Sequence, residues 1–114
     1  MNSEEKFKLD RSSLFNKIDS CRREQETVLG LRQGDSRTEL DGGGPMIPPV
    51  THVWMYKEQK LKVRIENTRD WIPVVSVFAS GTPETPAIIV KDESAVEAVL
   101  DLLRTNMGLL AQIS

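Results

Sequence analysis

Apolar residues in the last part of the chain recur with the period of an α-helix. They are separated by steps of three, one, three, four and three, at Val96, Val99, Leu100, Leu103, Met107 and Leu110. This spacing places them on one face of a helix with 3.6 residues per turn. Ser94 and Glu97 have the spacing of a capping box, in which each side chain satisfies a backbone N–H at the helix start. The pattern predicts a helix over residues 92–114.

The apolar stripe of this helix is wider than one face of a sheet normally covers, because further alanines and leucines flank it. One interpretation is a core helix with broad apolar flanks. The other is that Leu102, Leu109 and Ile113 lie outside the core and contact another chain. The pattern alone leaves both interpretations open.

From Thr51 onward the apolar residues recur with a period of two, which is typical of strands. The predicted strands are Val53–Lys57, Lys60–Glu66, Trp71–Ala79 and Ala87–Lys91. Turn-forming residues separate the last three of them. An antiparallel meander of about four strands, covered on one face by the C-terminal helix, gives a two-layer α+β domain over residues 51–114.

The first part of the chain predicts a helix followed by a linker. Leu14, Phe15, Ile18 and Cys21 form an apolar stripe within residues 10–25. Residues 27–31 fit either a short strand or a helix that stops at Gly30. Residues 33–50 are rich in glycine and proline, which favours a flexible linker. The expected organisation is an N-terminal helical segment (1–32), a linker (33–50) and the α+β domain (51–114). The helix could dock on that domain or reach a partner.

Composition sets the broad class of protein. The chain has 114 residues, of which 39% are hydrophobic and 28% charged, and its net charge is −2. This balance fits one folded domain and gives no bulk attraction for nucleic acid. A single cysteine, Cys21, suits a reducing compartment. No apolar run is long enough to span a membrane. We therefore expect a cytoplasmic or nuclear protein without membrane contact.

Residues typical of catalysis or metal binding are scarce. His52 is the single histidine, so a site with several histidines cannot form. Gly42, Gly43 and Gly44 precede Pro45 rather than a helix with a phosphate-binding lysine, so they fit a linker better than a phosphate loop. We expect no enzymatic activity, no cofactor and no metal.

The second predicted strand has one basic and one aliphatic face. Its cations are Lys60, Lys62 and Arg64, which alternate with Leu61, Val63 and Ile65. The loop before this strand decides where Trp54 and Tyr56 lie. A two-residue loop at 58–59 places both rings with the aliphatic residues, whereas a three-residue loop at 58–60 places them among the cations. The second arrangement is typical of sheets that bind RNA or single-stranded DNA.

These features predict a non-enzymatic interaction subunit or adaptor. It would assemble with a protein partner, identical or different, through a sheet edge and the amphipathic C-terminal helix. The candidate partner-binding residues are Leu102, Leu109, Ile113, Trp71 and Phe78. The alternative is nucleic-acid binding, with the candidates Lys60, Lys62, Arg64, Trp54 and Tyr56.

Overall fold

The computed structural model describes residues 9–40, 49–68, 72–80 and 86–113, and it has the predicted α+β architecture. Its elements, in chain order, are α1 (Arg11–Leu29), β1 (Ser36–Leu40), β2 (Val50–Tyr56), β3 (Gln59–Asn67), β4 (Pro73–Ala79), β5 (Ile88–Ile89) and α2 (Glu93–Ile113). The strands form one antiparallel sheet in the order β1-β2-β3-β4-β5. Both helices cover the same face of this sheet.

Strand β1 was not predicted, because it lies within the segment interpreted as a linker. Residues 36–40 pair antiparallel with β2, with Thr38 opposite His52. The linker prediction is therefore wrong for these five residues and for Val50, which begins β2. Residues 41–48 of the predicted linker lie outside the described residues.

The β2–β3 hairpin has a two-residue loop, Lys57–Glu58, one residue earlier than the predicted two-residue loop at 58–59. The three-residue alternative at 58–60 is wrong. Trp54 pairs with Leu61, and Tyr56 pairs with Gln59. Residues opposite one another share a face of the sheet. Both aromatic rings therefore lie on the aliphatic face, as the two-residue alternative requires.

The helix ends follow ordinary capping chemistry. At the start of α1, the carboxylate of Asp10 accepts a 2.7 Å hydrogen bond from the backbone N–H of Ser13. At its end, Gly30 adopts the left-handed conformation with φ of 70° and its N–H bonds the carbonyl of Glu26. Residues 27–29 therefore continue the helix instead of forming a strand.

The predicted start of α2 needs a correction. The carboxylate of Asp92, and not the side chain of Ser94, accepts a 2.8 Å hydrogen bond from the N–H of Ala95. The cap therefore lies two residues before the predicted capping box. Aspartate is as effective an N-cap as serine, and its charge also interacts favourably with the helix dipole.

One apolar core joins both helices to the sheet. It contains Leu14, Ile18 and Cys21 of α1 together with residues of α2 and of strands β2, β3 and β4. The N-terminal helix thus docks on the sheet, and residues 11–29 belong to the same core as the α+β domain. α1 contacts α2, and α2 extends over β3, β4 and β5.

Candidate functional site

The sheet has an inner face under the helices and an outer face that neither described helix covers. Lys60, Lys62 and Arg64 are partly buried on the outer face. Trp54 and Tyr56 lie on the inner face and are 5% and 1% exposed. The arrangement in which these rings stand among the cations is therefore wrong. The nucleic-acid candidates do not form one surface.

A buried polar network occupies the inner face beside Tyr56. Arg22 of α1 is 3% exposed and donates to the hydroxyl of Tyr56 at 3.0 Å, to Asp19 at 2.7 Å and to Gln33 at 3.0 Å. The Tyr56 hydroxyl donates in turn to Glu26 at 2.7 Å. Burial, followed by the hydrogen bond to Glu26, raises the pKa of Tyr56 above its ordinary value. Arg22 also forms an ion pair with Glu26, so each polar side chain of the network has a partner, and the bonds to Tyr56 link α1 to β2.

His52 lies between aromatic rings at the edge of the same face. Its ring centroid is 4.1 Å from that of Phe15 and 5.9 Å from that of Trp54. Burial lowers the pKa of His52, and the positive charge of Arg11 lowers it further. These surroundings are those of a packed histidine. In the described part of the chain, no group of three or more histidine, cysteine or acidic side chains could hold a metal ion.

Two aromatic residues were predicted as partner anchors. Phe78 lies on the outer face, partly buried, and the ammonium of Lys62 is 5.8 Å from its ring centroid. This contact is a cation–π interaction across two neighbouring strands. Trp71 lies outside the described residues.

The three predicted contact residues of α2 differ in their surroundings. Leu102 is partly buried against the core. Leu109 is 38% exposed. Ile113 is the last residue of the helix, and its side chain lies outside the description. The flank of α2 at Leu109 therefore leaves apolar surface in contact with solvent.

Strand β1 forms one edge of the sheet and exposes backbone groups there. The N–H of Met55 donates to the carbonyl of Asp35 at 2.9 Å, so residue 35 directs its carbonyl toward β2. Backbone groups of successive residues in a strand point in opposite directions. Arg37 and Glu39 therefore also bond toward β2, whereas Ser36, Thr38 and Leu40 direct their N–H and C=O groups away from the sheet.

The side chains of β1 leave this edge accessible. Arg37 and Glu39 share the outer face and form an ion pair at 2.8 Å. The hydrogen bond from Arg37 lowers the pKa of Glu39. Leu40 is 67% exposed at the end of the strand. In the described residues the opposite edge, β5, has only two strand residues, so β1 is the longer free edge.

The β1 residues were not predicted from the sequence. The available signal was weak: residues 35–41 contain neither glycine nor proline, although glycine occurs on both sides, at Gly34 and Gly42. A short edge strand buries little, so its apolar periodicity is faint.

Comparison of the chain with family models, with curated proteins and with solved structures finds no match. Among the described residues, no helix is both long enough and apolar enough to cross a membrane.

Proposed function

We propose that this chain is a non-enzymatic protein-interaction subunit that binds an extended strand of a protein partner along the free edge of β1. The observation that carries the proposal is the direction of the backbone groups of Ser36, Thr38 and Leu40. A partner strand at this edge would extend the sheet, which is a common mode of peptide recognition.

The expected strength of this contact follows from its hydrogen bonds. Each contributes a net free energy of about 0.5–1.5 kcal/mol, because the groups exchange water for the partner. Side-chain contacts must add affinity and specificity. Arg37 and Glu39 on the outer face of β1 are available for such contacts.

Nucleic-acid binding has less support and is not proposed. Single-stranded nucleic acids need exposed rings on which bases stack. Trp54 and Tyr56 are buried on the other face from the cations. Arg64 forms an ion pair with Glu66 at 3.2 Å, which reduces the positive potential of the outer face.

The matched variants Thr38→Pro and Thr38→Val test the proposed edge. Proline removes an N–H that points away from β2, so the β1–β2 hydrogen bonds are retained. Valine keeps that N–H and has nearly the same shape. Circular dichroism should show the same fold for both variants.

Immobilised forms of the wild type and both variants would capture proteins from cells that express the chain. Each captured protein, once purified, should bind the Thr38→Val variant in a direct titration and lose most of its affinity for Thr38→Pro. Equal affinity for the two variants would overturn the proposal.

A further inference from the structure

We infer that the strand which pairs with β1 is the β1 strand of a second copy of this chain, antiparallel, with Thr38 opposite Thr38 of the copy. The inference rests on the proposed function, since it names the partner of the same edge. The resulting dimer would have one continuous sheet and a two-fold axis between the two β1 strands.

Backbone geometry limits the registers that two β1 strands can adopt. Hydrogen bonds form only where the outward-facing residues Ser36, Thr38 and Leu40 oppose one another. Registers centred on residue 37, 38 or 39 meet this requirement over most of the strand. The side chains of the outer face then distinguish between these registers.

Charge selects the register centred on Thr38. A register centred on 37 places Arg37 opposite Arg37 of the copy, and one centred on 39 places Glu39 opposite Glu39. Like charges directly opposite one another are unfavourable in a sheet. Centring on Thr38 places Arg37 opposite Glu39 of the copy, twice by symmetry. β1 is therefore complementary to itself in charge.

The same register also gives the longest hydrogen-bonded overlap. Ser36 would oppose Leu40 of the copy and Thr38 would oppose its equivalent, for about six backbone hydrogen bonds in all. Arg37 and Glu39 already lie on one face, 2.8 Å apart in their ion pair. In the dimer the four charges would alternate in sign around the axis.

The helices leave room for this arrangement. The inner-face residues of β1 (Ser36, Thr38 and Leu40) are exposed, and neither of the two described helices covers them. α1 contacts β2, through Phe15 on Trp54 and Arg22 on Tyr56. Neighbouring strands are about 4.8 Å apart, so the two β2 strands would lie roughly 14 Å apart. This separation exceeds the helix diameter of about 10–12 Å, side chains included.

Complementary charge reversal tests the register. Arg37→Glu gives a strand with two acidic residues, and Glu39→Arg gives one with two basic residues. Both side chains are about half exposed, at 50% and 43%, so the fold should tolerate either change. Sedimentation equilibrium over a concentration series would measure self-association of each purified chain.

Each single variant should self-associate at least roughly tenfold more weakly than the wild type, because both opposed pairs become like-charged. An equimolar mixture of the two variants should associate at least as tightly as the wild type. The double variant Arg37→Glu/Glu39→Arg should recover self-association. A mixture that associates no better than its separate components would overturn the register.

Amide hydrogen exchange of the wild type gives a second measurement that needs no variant. Exchange at Ser36, Thr38 and Leu40 should slow as concentration rises, since these amides face the copy. The amides of Arg37 and Glu39 already bond toward β2 and should change less. Unchanged exchange at Thr38 over a range that produces dimer would place the contact elsewhere and overturn the inference.

Failure of this inference is distinguishable from failure of the proposed function. A wild type that stays monomeric over the whole concentration series overturns pairing with a second copy. The proposed edge would still stand if a different protein bound Thr38→Val but not Thr38→Pro.

Discussion

The guanidinium of Arg22 on α1 donates a 3.0 Å hydrogen bond to the hydroxyl of Tyr56 on β2. This bond joins the N-terminal helix to the sheet. The same hydroxyl donates to Glu26, so one side chain of β2 bonds two residues of α1. Helix docking therefore depends on a buried polar network as well as on apolar packing.

Removal of the Tyr56 hydroxyl should destabilise the fold without disrupting it. Tyr56→Phe leaves the ring in the core but deletes the bonds to Arg22 and Glu26. The free energy of unfolding should fall by about 1–3 kcal/mol, the usual cost of leaving buried partners unsatisfied. Urea denaturation followed by tryptophan fluorescence would measure it.

The control for this prediction is Arg22→Met, which removes the charge but retains much of the apolar stem. It leaves Glu26 without its buried cation, while Asp19 keeps its ion pair with Arg23, and it should cost more than Tyr56→Phe because a charge partner is lost as well as the hydrogen bond to Tyr56. A Tyr56→Phe variant as stable as the wild type would show that the network contributes no net stability.

The loop between β2 and β3 contains a strained residue. Lys57 has φ of 60°, a conformation that is unfavourable for residues other than glycine. Lys57→Gly should therefore raise the free energy of unfolding by roughly 1 kcal/mol. Thermal and urea denaturation of the variant would measure the gain.

Glu58→Gly is the matched control for this loop, because Glu58 lacks a positive φ. Glycine at that position relieves no strain and adds backbone entropy to the unfolded state, so stability should fall slightly. If Lys57→Gly were as destabilising as Glu58→Gly, the strain assigned to Lys57 would be wrong.

The fold was predictable where burial is strongly one-sided. Val96, Val99, Leu103, Met107 and Leu110 are all buried in α2, as their helical spacing predicts. Asn106, which is also buried, was missed because its amide bonds the carbonyl of Leu102, a contact that apolar periodicity does not report. The pattern thus identifies the apolar core but not its polar members.

The candidate site was less predictable, for two physical reasons. Register in the β2–β3 hairpin depends on a loop without glycine or asparagine, so two placements of Trp54 remained open until the structure fixed its pairing with Leu61. Strand β1 has no buried side chain, and its pairing depends on backbone hydrogen bonds that any sequence can make. Sequence periodicity reports burial, and the free edge has almost none.

Acidification should destabilise the protein through His52. Burial and the charge of Arg11 lower its pKa below the ordinary value of 6.5, so the folded state favours the neutral ring. Between the folded pKa and 6.5 the unfolded state binds more protons, and stability falls as pH decreases through that window. The stability that depends on a neutral His52 ring is fully present above pH 6.5.

His52→Phe isolates this effect, because phenylalanine keeps an aromatic ring against Phe15 and cannot titrate. The melting temperature of the wild type should fall more than that of the variant as the pH is lowered from neutrality. NMR titration of the imidazole gives the folded pKa directly. Parallel pH dependence of the two proteins, or a folded pKa above 6.5, would contradict the assignment.

The two leucines near the end of α2 should respond differently to truncation. Leu110 is fully buried, whereas Leu109 is 38% exposed. Leu110→Ala should lower the free energy of unfolding by about 2–5 kcal/mol, since it creates a cavity in the core. Leu109→Gln should change it by less than about 1 kcal/mol, because part of the residue already contacts solvent and the glutamine amide can reach water from this position. Chemical denaturation of both variants gives the comparison.

A small stability cost makes Leu109→Gln a usable probe of the α2 surface. If α2 contributes to the proposed interface, affinity for the partner should fall in this variant while the fold is retained. Thr105→Gln, at another exposed position of α2, is the control for a change of surface polarity. Equal partner affinity in both variants would restrict the interface to the β1 edge. A large loss of stability in Leu109→Gln would instead show that Leu109 belongs to the core.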